Sequence, residues 1–139
     1  MNLSAKIVEK AEWESIESFA HEELFGKEYL DLYKDYNFAV LVSGGADMVC
    51  YATIKELDAD TAFLNFGGTF KKYQSQYLTS ECLKKIKDTL TKKYKYVGFC
   101  CRTKNIAMIK VGLNNGFNII GMKLVLGLPN LEFLLEREN

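Results

Sequence analysis

The chain has one histidine, His21, and it stands directly before two carboxylates, Glu22 and Glu23. An imidazole titrates near pH 6.5 and a carboxylate near 4, so either type could take a proton from an amine at neutral pH. His21 and Glu22 are therefore the candidate catalytic bases, against the alternative of a solvated histidine in the last turn of a helix. The four cysteines, Cys50, Cys82, Cys100 and Cys101, show no CxxC spacing. An adjacent pair cannot make a zinc knuckle, and no metal site is expected. A thiolate nucleophile needs a neighbouring base or a lowered pKa. The only histidine is remote in sequence, so the cysteines read as small buried hydrophobes of a reducing, cytoplasmic compartment. Lys84, Lys85, Lys87, Lys92, Lys93 and Lys95 form a basic run that either faces solvent or meets an acidic partner. Glu56 and Asp58 read as solvated.

These groups need elements to hold them. The length of 139 residues suits a single domain, 1–139, and 48% hydrophobic with 26% charged residues is a globular balance. Lys plus Arg and Asp plus Glu are both 18, so the net charge is zero. No basic surplus exists to neutralise phosphates, which argues against nucleic acid as a partner. No apolar run approaches the roughly 20 residues that span a bilayer, and Met1 to Lys10 lacks the apolar core of a signal peptide, so no membrane association is expected.

Lys6 to Val8 reads as an edge strand. Trp13, Ile16, Ala20 and Leu24 recur at helical spacing over Ala11 to Leu24, and a second short helix is expected over Glu28 to Lys34. Phe38 to Val42, Met48 to Ile54 and Thr61 to Phe66 read as a three-strand meander closed by Gly67-Gly68. Ser75 to Lys93 carries an apolar stripe of Leu78, Cys82, Leu83, Ile86 and Leu90 and is the strongest helix signal. Tyr96 to Cys101 is apolar throughout, as in a strand buried on both faces. Thr103 is placed to cap a helix running to Leu113 with Ile106, Ile109 and Leu113 inward, and Asn114-Asn115-Gly116 stops it. Phe117 to Leu126 and Leu131 to Leu135 read as two final strands joined around Gly127 to Asn130. The order is β-α-α-β-β-β-α-β-α-β-β, an α+β fold with a mixed central sheet.

Cys101-Arg102-Thr103-Lys104-Asn105, followed eleven residues after Asn105 by Gly116-Phe117, resembles the GNAT N-acetyltransferase family in both motif and element order. The family's strand, helix-opening Asn and Gly-Phe stand at this separation. The resemblance implies acetyl-CoA as cofactor, an amine acceptor, and pyrophosphate held at a helix N-terminus by a Gln/Arg-x-x-Gly-x-Gly/Ala loop. That loop falls on Gln74-Ser75-Gln76-Tyr77-Leu78-Thr79. Gln74 matches, while Tyr77 and Thr79 stand where glycine or alanine is usual. Phe66, Gly67, Gln74 to Thr79 and Asn105 are the cofactor contacts so implied, with Lys71 and Lys72 as supporting charge. The family's acidic tyrosine falls on Gly112, and the strand position where many members place a base holds no glutamate, since Asn65 cannot serve. Within the family, the pattern over Phe63 to Phe117 is similar to phage-encoded GNAT-like proteins.

Two functions follow from this reading. One is acetyl transfer from acetyl-CoA to an amine. The other is a catalytically degenerate protein-binding module, its cleft closed by Tyr77 and its surface formed by Tyr29, Tyr33, Tyr36 and Phe38.

Overall fold

The computed structural model describes residues 2–16 and 34–138. Seven strands form one sheet: β1 (Leu3–Glu9), β2 (Phe38–Gly44), β3 (Asp47–Asp58), β4 (Thr61–Thr69), β5 (Tyr96–Arg102), β6 (Asn118–Val125) and β7 (Leu128–Glu136). Their order across the sheet is β1-β2-β3-β4-β5-β7-β6. Only β4 and β5 run parallel; every other neighbouring pair is antiparallel. A helical stretch, α1 (residues 10–16), follows β1. Helix α2 (Gln76–Leu90) crosses from β4 to β5, and α3 (Ile106–Asn114) connects β5 to β6. The fold is therefore α+β on a mixed sheet. His21, Glu22 and Glu23 lie outside the described residues, as do the rest of the first expected helix and 28–33 of the second.

The two faces of the sheet bury different clusters. Helix α2 turns Cys82, Leu83, Ile86 and Leu90 onto one face, as its apolar stripe requires. Burying each of its larger side chains is worth about 2 kcal/mol. Under α3, the Phe99 and Phe133 rings stack at 4.6 Å, and Phe117 meets Phe99 edge-on at 5.0 Å. Aromatic pairs of this kind add about 1 kcal/mol each beyond their buried area. On the opposite face, fully buried Trp13 of α1 packs 4.8 Å from Tyr51. Tyr36 is buried in that same cluster, and Phe38 stacks on Tyr94. Tyr36 is core rather than surface, and Phe38 is half-buried against the cluster on the α2 face, while Tyr29 and Tyr33 fall outside the described residues.

Four local expectations are corrected. Gly67-Gly68 does not close the meander: β4 runs through both to Thr69. A Cβ at Gly67 would lie 2.2 Å from the Tyr51 carbonyl oxygen, so glycine is needed there for close approach of β3. Thr103 does not cap α3. Asn105 does, its side chain accepting from the Met108 N–H at 3.1 Å. Gly116, at φ +84°, ends that helix in a Schellman arrangement, with the Phe117 N–H donating to the Gly112 carbonyl at 3.1 Å. Third, Ile106 and Leu113 are exposed, and α3 instead buries Val111 and Gly112. Its motif residues obey two apolar faces at once, and the sheet took the narrower one. Fourth, the last turn is only Leu126-Gly127, both at positive φ, as a two-residue hairpin demands. Pro129 thus sits inside β7, opposite Leu124.

Candidate functional site

The parallel pair β4 and β5 is joined at three positions only, Thr61 to Tyr96, Ala62 to Val97 and Phe63 to Gly98. Beyond Phe63 the two strands diverge, and a sheet opened in this way exposes backbone that would otherwise be paired. A bulge begins at the same point. Thr53 pairs with Phe66 and Ile54 with Leu64, which leaves Asn65 outside the ladder. Bulges re-aim a strand and are common beside active sites. The Thr53 hydroxyl donates to the Phe66 carbonyl at 3.1 Å and fixes one side of the bulge. On the other side the Asn65 amide donates to the Asp35 carbonyl at 3.3 Å, so residues 34–37 run past the bulge.

The divergence opens a cavity of about 820 Å³. One wall is β4 from Leu64 to Thr69, and the facing wall is β5 from Phe99 to Arg102. Its floor is apolar: Ala52 of β3, Leu83 and Ile86 of α2, and Met108 of α3. Its far lip is the β6–β7 hairpin, held by the Arg102 guanidinium donating to the Val125 carbonyl at 2.8 Å.

Of the residues picked from the sequence, Phe66, Gly67, Gln74, Thr79 and Asn105 all line this one cavity. Ser75, Gln76, Tyr77 and Leu78 do not line it. Gln74 reaches back to the β4 end, its amide donating to the Thr69 carbonyl at 2.9 Å. Ser75 is the N-cap of α2 and accepts from the Leu78 N–H at 3.1 Å. The Thr69 and Thr79 hydroxyls bond each other at 3.2 Å. Tyr77 is 72% exposed and does not line the cleft that it was expected to close. The amides of Gln76 and Tyr77 have no acceptor within the helix, as the first turn of any helix dictates. Lys72 is drawn 3.8 Å from Asp47 on the outside of the loop.

Gly112 is explained by packing. A Cβ there would sit 2.8 Å from Cζ of Phe99 and 3.2 Å from the Phe133 ring. The stacked rings occupy the space that a tyrosine would need.

All four cysteines border the cavity, a convergence that no spacing along the chain signals. Burial raises each thiol that shows a shift. Cys101 is pushed up to about 11, first by burial and then by Cys100. Cys50 is raised further by burial and by its contact with Cys82. Cys100 is raised by burial despite the nearby Lys123. None of these three is poised as a thiolate. Among the described residues no carboxylate or histidine lines the cavity, and Arg102 is the one charged residue that does. Among the described residues no cluster of His, Cys, Asp or Glu could hold a metal. Glu56, expected in solvent, instead accepts a hydrogen bond from the Tyr94 hydroxyl, away from the cleft. Of the basic run, Lys87 donates to the Asn115 carbonyl, and Lys93 and Lys95 pair with Glu56 and Glu136.

The fold that carries this split sheet superposes on solved structures over most or all of the chain. An acetyltransferase of the GNAT family from Bacillus cereus superposes with a TM-score of 0.76 at 18% identity, covering 100% of both chains. The chain has the GNAT fold. The ribosomal-protein-S18-alanine N-acetyltransferase of Escherichia coli gives 0.75 at 16% identity, over 99% of this chain and 96% of that one. A GNAT family acetyltransferase from Elizabethkingia anophelis, with acetyl-CoA bound, gives 0.67 at 15%, over 84% and 87%. No family model and no curated protein matches the sequence. The GNAT likeness is thus carried by topology and not by residue identity. No described helix is long and apolar enough to cross a membrane.

Proposed function

We propose that the chain is an acyl-CoA-dependent N-acyltransferase that moves an acetyl group from acetyl-CoA to an amine. The observation that carries this is the open cavity at the β4–β5 split, whose walls include Gln74, Thr79 and Asn105. Its volume of about 820 Å³ lies within the range of about 300–1,000 Å³ typical of ligand sites. Neighbours of the same fold include one with acetyl-CoA bound and one in complex with a bisubstrate analogue.

The residues present fit a long, thin ligand with an anionic end. Gln76 and Tyr77 offer free amides at the positive end of α2, which suits pyrophosphate. The apolar floor of Ala52, Leu83 and Ile86 suits an alkyl arm. Bound there, acetyl-CoA supplies an activated acyl carbon and a thiolate leaving group. The bulge at Asn65 leaves backbone outside the ladder, where an amide can stabilise charge developing on a carbonyl oxygen. The apolar floor lowers the local dielectric and strengthens that interaction. Arg102 holds the hairpin lip in place.

Among the described residues the site holds no positioned base. Such a group contributes about 10² to 10⁴ in rate, so the expected turnover is low unless His21 or Glu22 reaches the amine. The same lack favours the second reading, a GNAT-fold binding module without chemistry.

Thermal unfolding with and without acetyl-CoA separates the two. Ligand at 100 times its dissociation constant adds about 2.7 kcal/mol to the native state. We expect a rise in midpoint that shrinks in Gln74→Ala, together with CoA release when an amine is added. A rise without turnover leaves the binding module, and no rise for acetyl-CoA or CoA ends the transferase reading.

A further inference from the structure

Strand side chains alternate between the two faces of a sheet, and residues paired across neighbouring strands share a face. Phe99, Cys101 and Phe133 are packed on the face that carries α2 and α3. Cys100 and Arg102 belong to the opposite face, as do their partners on β7, Glu132 and Asn130. Gly121 and Lys123 of β6 pair with those same two residues and share that face. Phe63 of β4 joins it through Gly98.

Three charged side chains thus surround one small thiol. Strands β6 and β4 are separated by β7 and β5, yet the Lys123 amine lies 5.1 Å from the centre of the Phe63 ring. Its chain therefore crosses the sheet and brings the amine over β5, beside Cys100. A Cβ on Gly121 would meet Glu132 Oε1 at 3.5 Å, so that carboxylate rests on the sheet between β7 and β6. Arg102 uses one N–H on the Val125 carbonyl. All three act on the Cys100 thiol. Beneath the larger effect of burial, Lys123 and Arg102 favour its anion and Glu132 opposes it.

Among the described residues none of the three is ion-paired. Glu132 and Arg102 are half-buried, and charges removed from water are normally paired. Opposite charges that share a face without meeting suit a ligand that carries both signs. The cavity reaches this group. Cys100, Arg102 and Asn130 line it together with Leu83 and Met108 from the helix side, so it passes through the β4–β5 split.

We propose that the acceptor is an amino acid with a neutral side chain, its ammonium held at Glu132 and its carboxylate between Lys123 and Arg102. This rests on the acetyl-transfer reading above: with the cofactor on the helix side, the acceptor approaches from the other face. A guanidinium matches a carboxylate with two parallel N–H bonds, and the Lys123 ammonium adds a point charge. Two cations to one carboxylate also select against a polyamine, whose second ammonium would meet like charge. The apolar Leu126 and Leu128 at the lip leave the side chain no charged partner. In the transfer the ammonium gives one proton to solvent and nitrogen bonds to the acetyl carbon. The carbon–sulfur bond breaks, and the second proton ends on sulfur.

Thermal unfolding of the full chain is followed with CoA alone, then with CoA and a pool of neutral L-amino acids, or a pool of the same molecules without the carboxylate. The amino-acid pool should raise the midpoint beyond CoA alone, and the amine pool should not. Glu132→Gln and Lys123→Met should each raise the half-saturating amino-acid concentration about tenfold and leave the CoA shift unchanged. Lys123→Glu should turn the preference toward the amine pool, which a merely structural role for Lys123 would not do. With acetyl-CoA in place of CoA, mass spectrometry should find acetylated amino acids. A CoA shift without response to the amino-acid pool, an equal response to both pools, or an unaltered Lys123→Met protein overturns this proposal alone. Absence of any CoA shift removes the acetyl-transfer reading and this proposal with it.

Discussion

At Gly112 two general effects oppose each other, and their sizes decide the outcome. Replacing glycine by alanine within a helix gains about 1 kcal/mol from propensity. Forcing a methyl to 2.8 Å from a buried, stacked Phe99 ring costs about 1–3 kcal/mol. Gly112→Ala should therefore lower stability in urea by about 1 kcal/mol, and a gain would mean that the ring swings aside freely. The Tyr94–Glu56 pair makes a second test, by pH. Burial first, then Glu56, raises the Tyr94 phenol above its ordinary value of 10. Its contribution is thus complete below pH 10 and lost as pH climbs toward the folded-state value. The Tyr94 hydrogen bond, ahead of Lys93, lowers Glu56 from 4.5. That contribution is present above pH 4.5 and lost on acidification. Tyr94→Phe should flatten both limbs of a stability–pH curve; unaltered slopes would show that the pair contributes nothing. His21 is the third residue to test. If it is the base, kcat/KM should break near pH 6.5, and His21→Ala should remove the break. A rate that simply follows the acceptor amine excludes it.

At the scale of elements, the β6–β7 hairpin stores strain. Leu126 has φ +53°, alone among the described non-glycine residues. A left-handed conformation costs an ordinary L-residue about 1–2 kcal/mol, and asparagine tolerates it better. Leu126→Asn should add about 1 kcal/mol and raise the unfolding midpoint by about 4 °C. Because Leu126 also forms part of the cavity wall, the same change should weaken acetyl-CoA binding. A stabler protein with unchanged affinity would show that the strain serves the turn alone. The elements themselves were largely readable. The apolar stripe from Leu78 through Leu90 announces α2, and Asn105 with Gly116-Phe117 brackets α3. What misled was local ambiguity. Thr103 and Asn105 are both good caps, and only the backbone path after Arg102 chooses between them. Gly67-Gly68 resembles a turn because glycine marks turns and close backbone contacts alike.

For the whole molecule, the sheet is two halves joined at three β4–β5 positions, with α2 and α3 packed across the split. Backbone that turns into the cavity from β4 beyond Phe63 should exchange its amide hydrogens faster than the buried centre of β2, Val40 to Val42. Acetyl-CoA should slow that exchange selectively. Equal protection in all regions, or slowing only at a distant surface, would move the ligand site elsewhere.

The sequence alone determined the element order over the described residues, the stop of α3 at Gly116, and the spacing that sets Gln74 and Asn105 at the starts of α2 and α3. These depend on contacts within a few residues, where side-chain chemistry acts directly on the neighbouring backbone. Only the tertiary structure decided where β4 and β5 part, that Tyr77 faces solvent, that Gly112 serves two phenylalanines, and that all four cysteines meet at one cavity. Each of these is settled by residues tens of positions apart that compete for the same volume. That competition turned Ile106 and Leu113 of α3 outward.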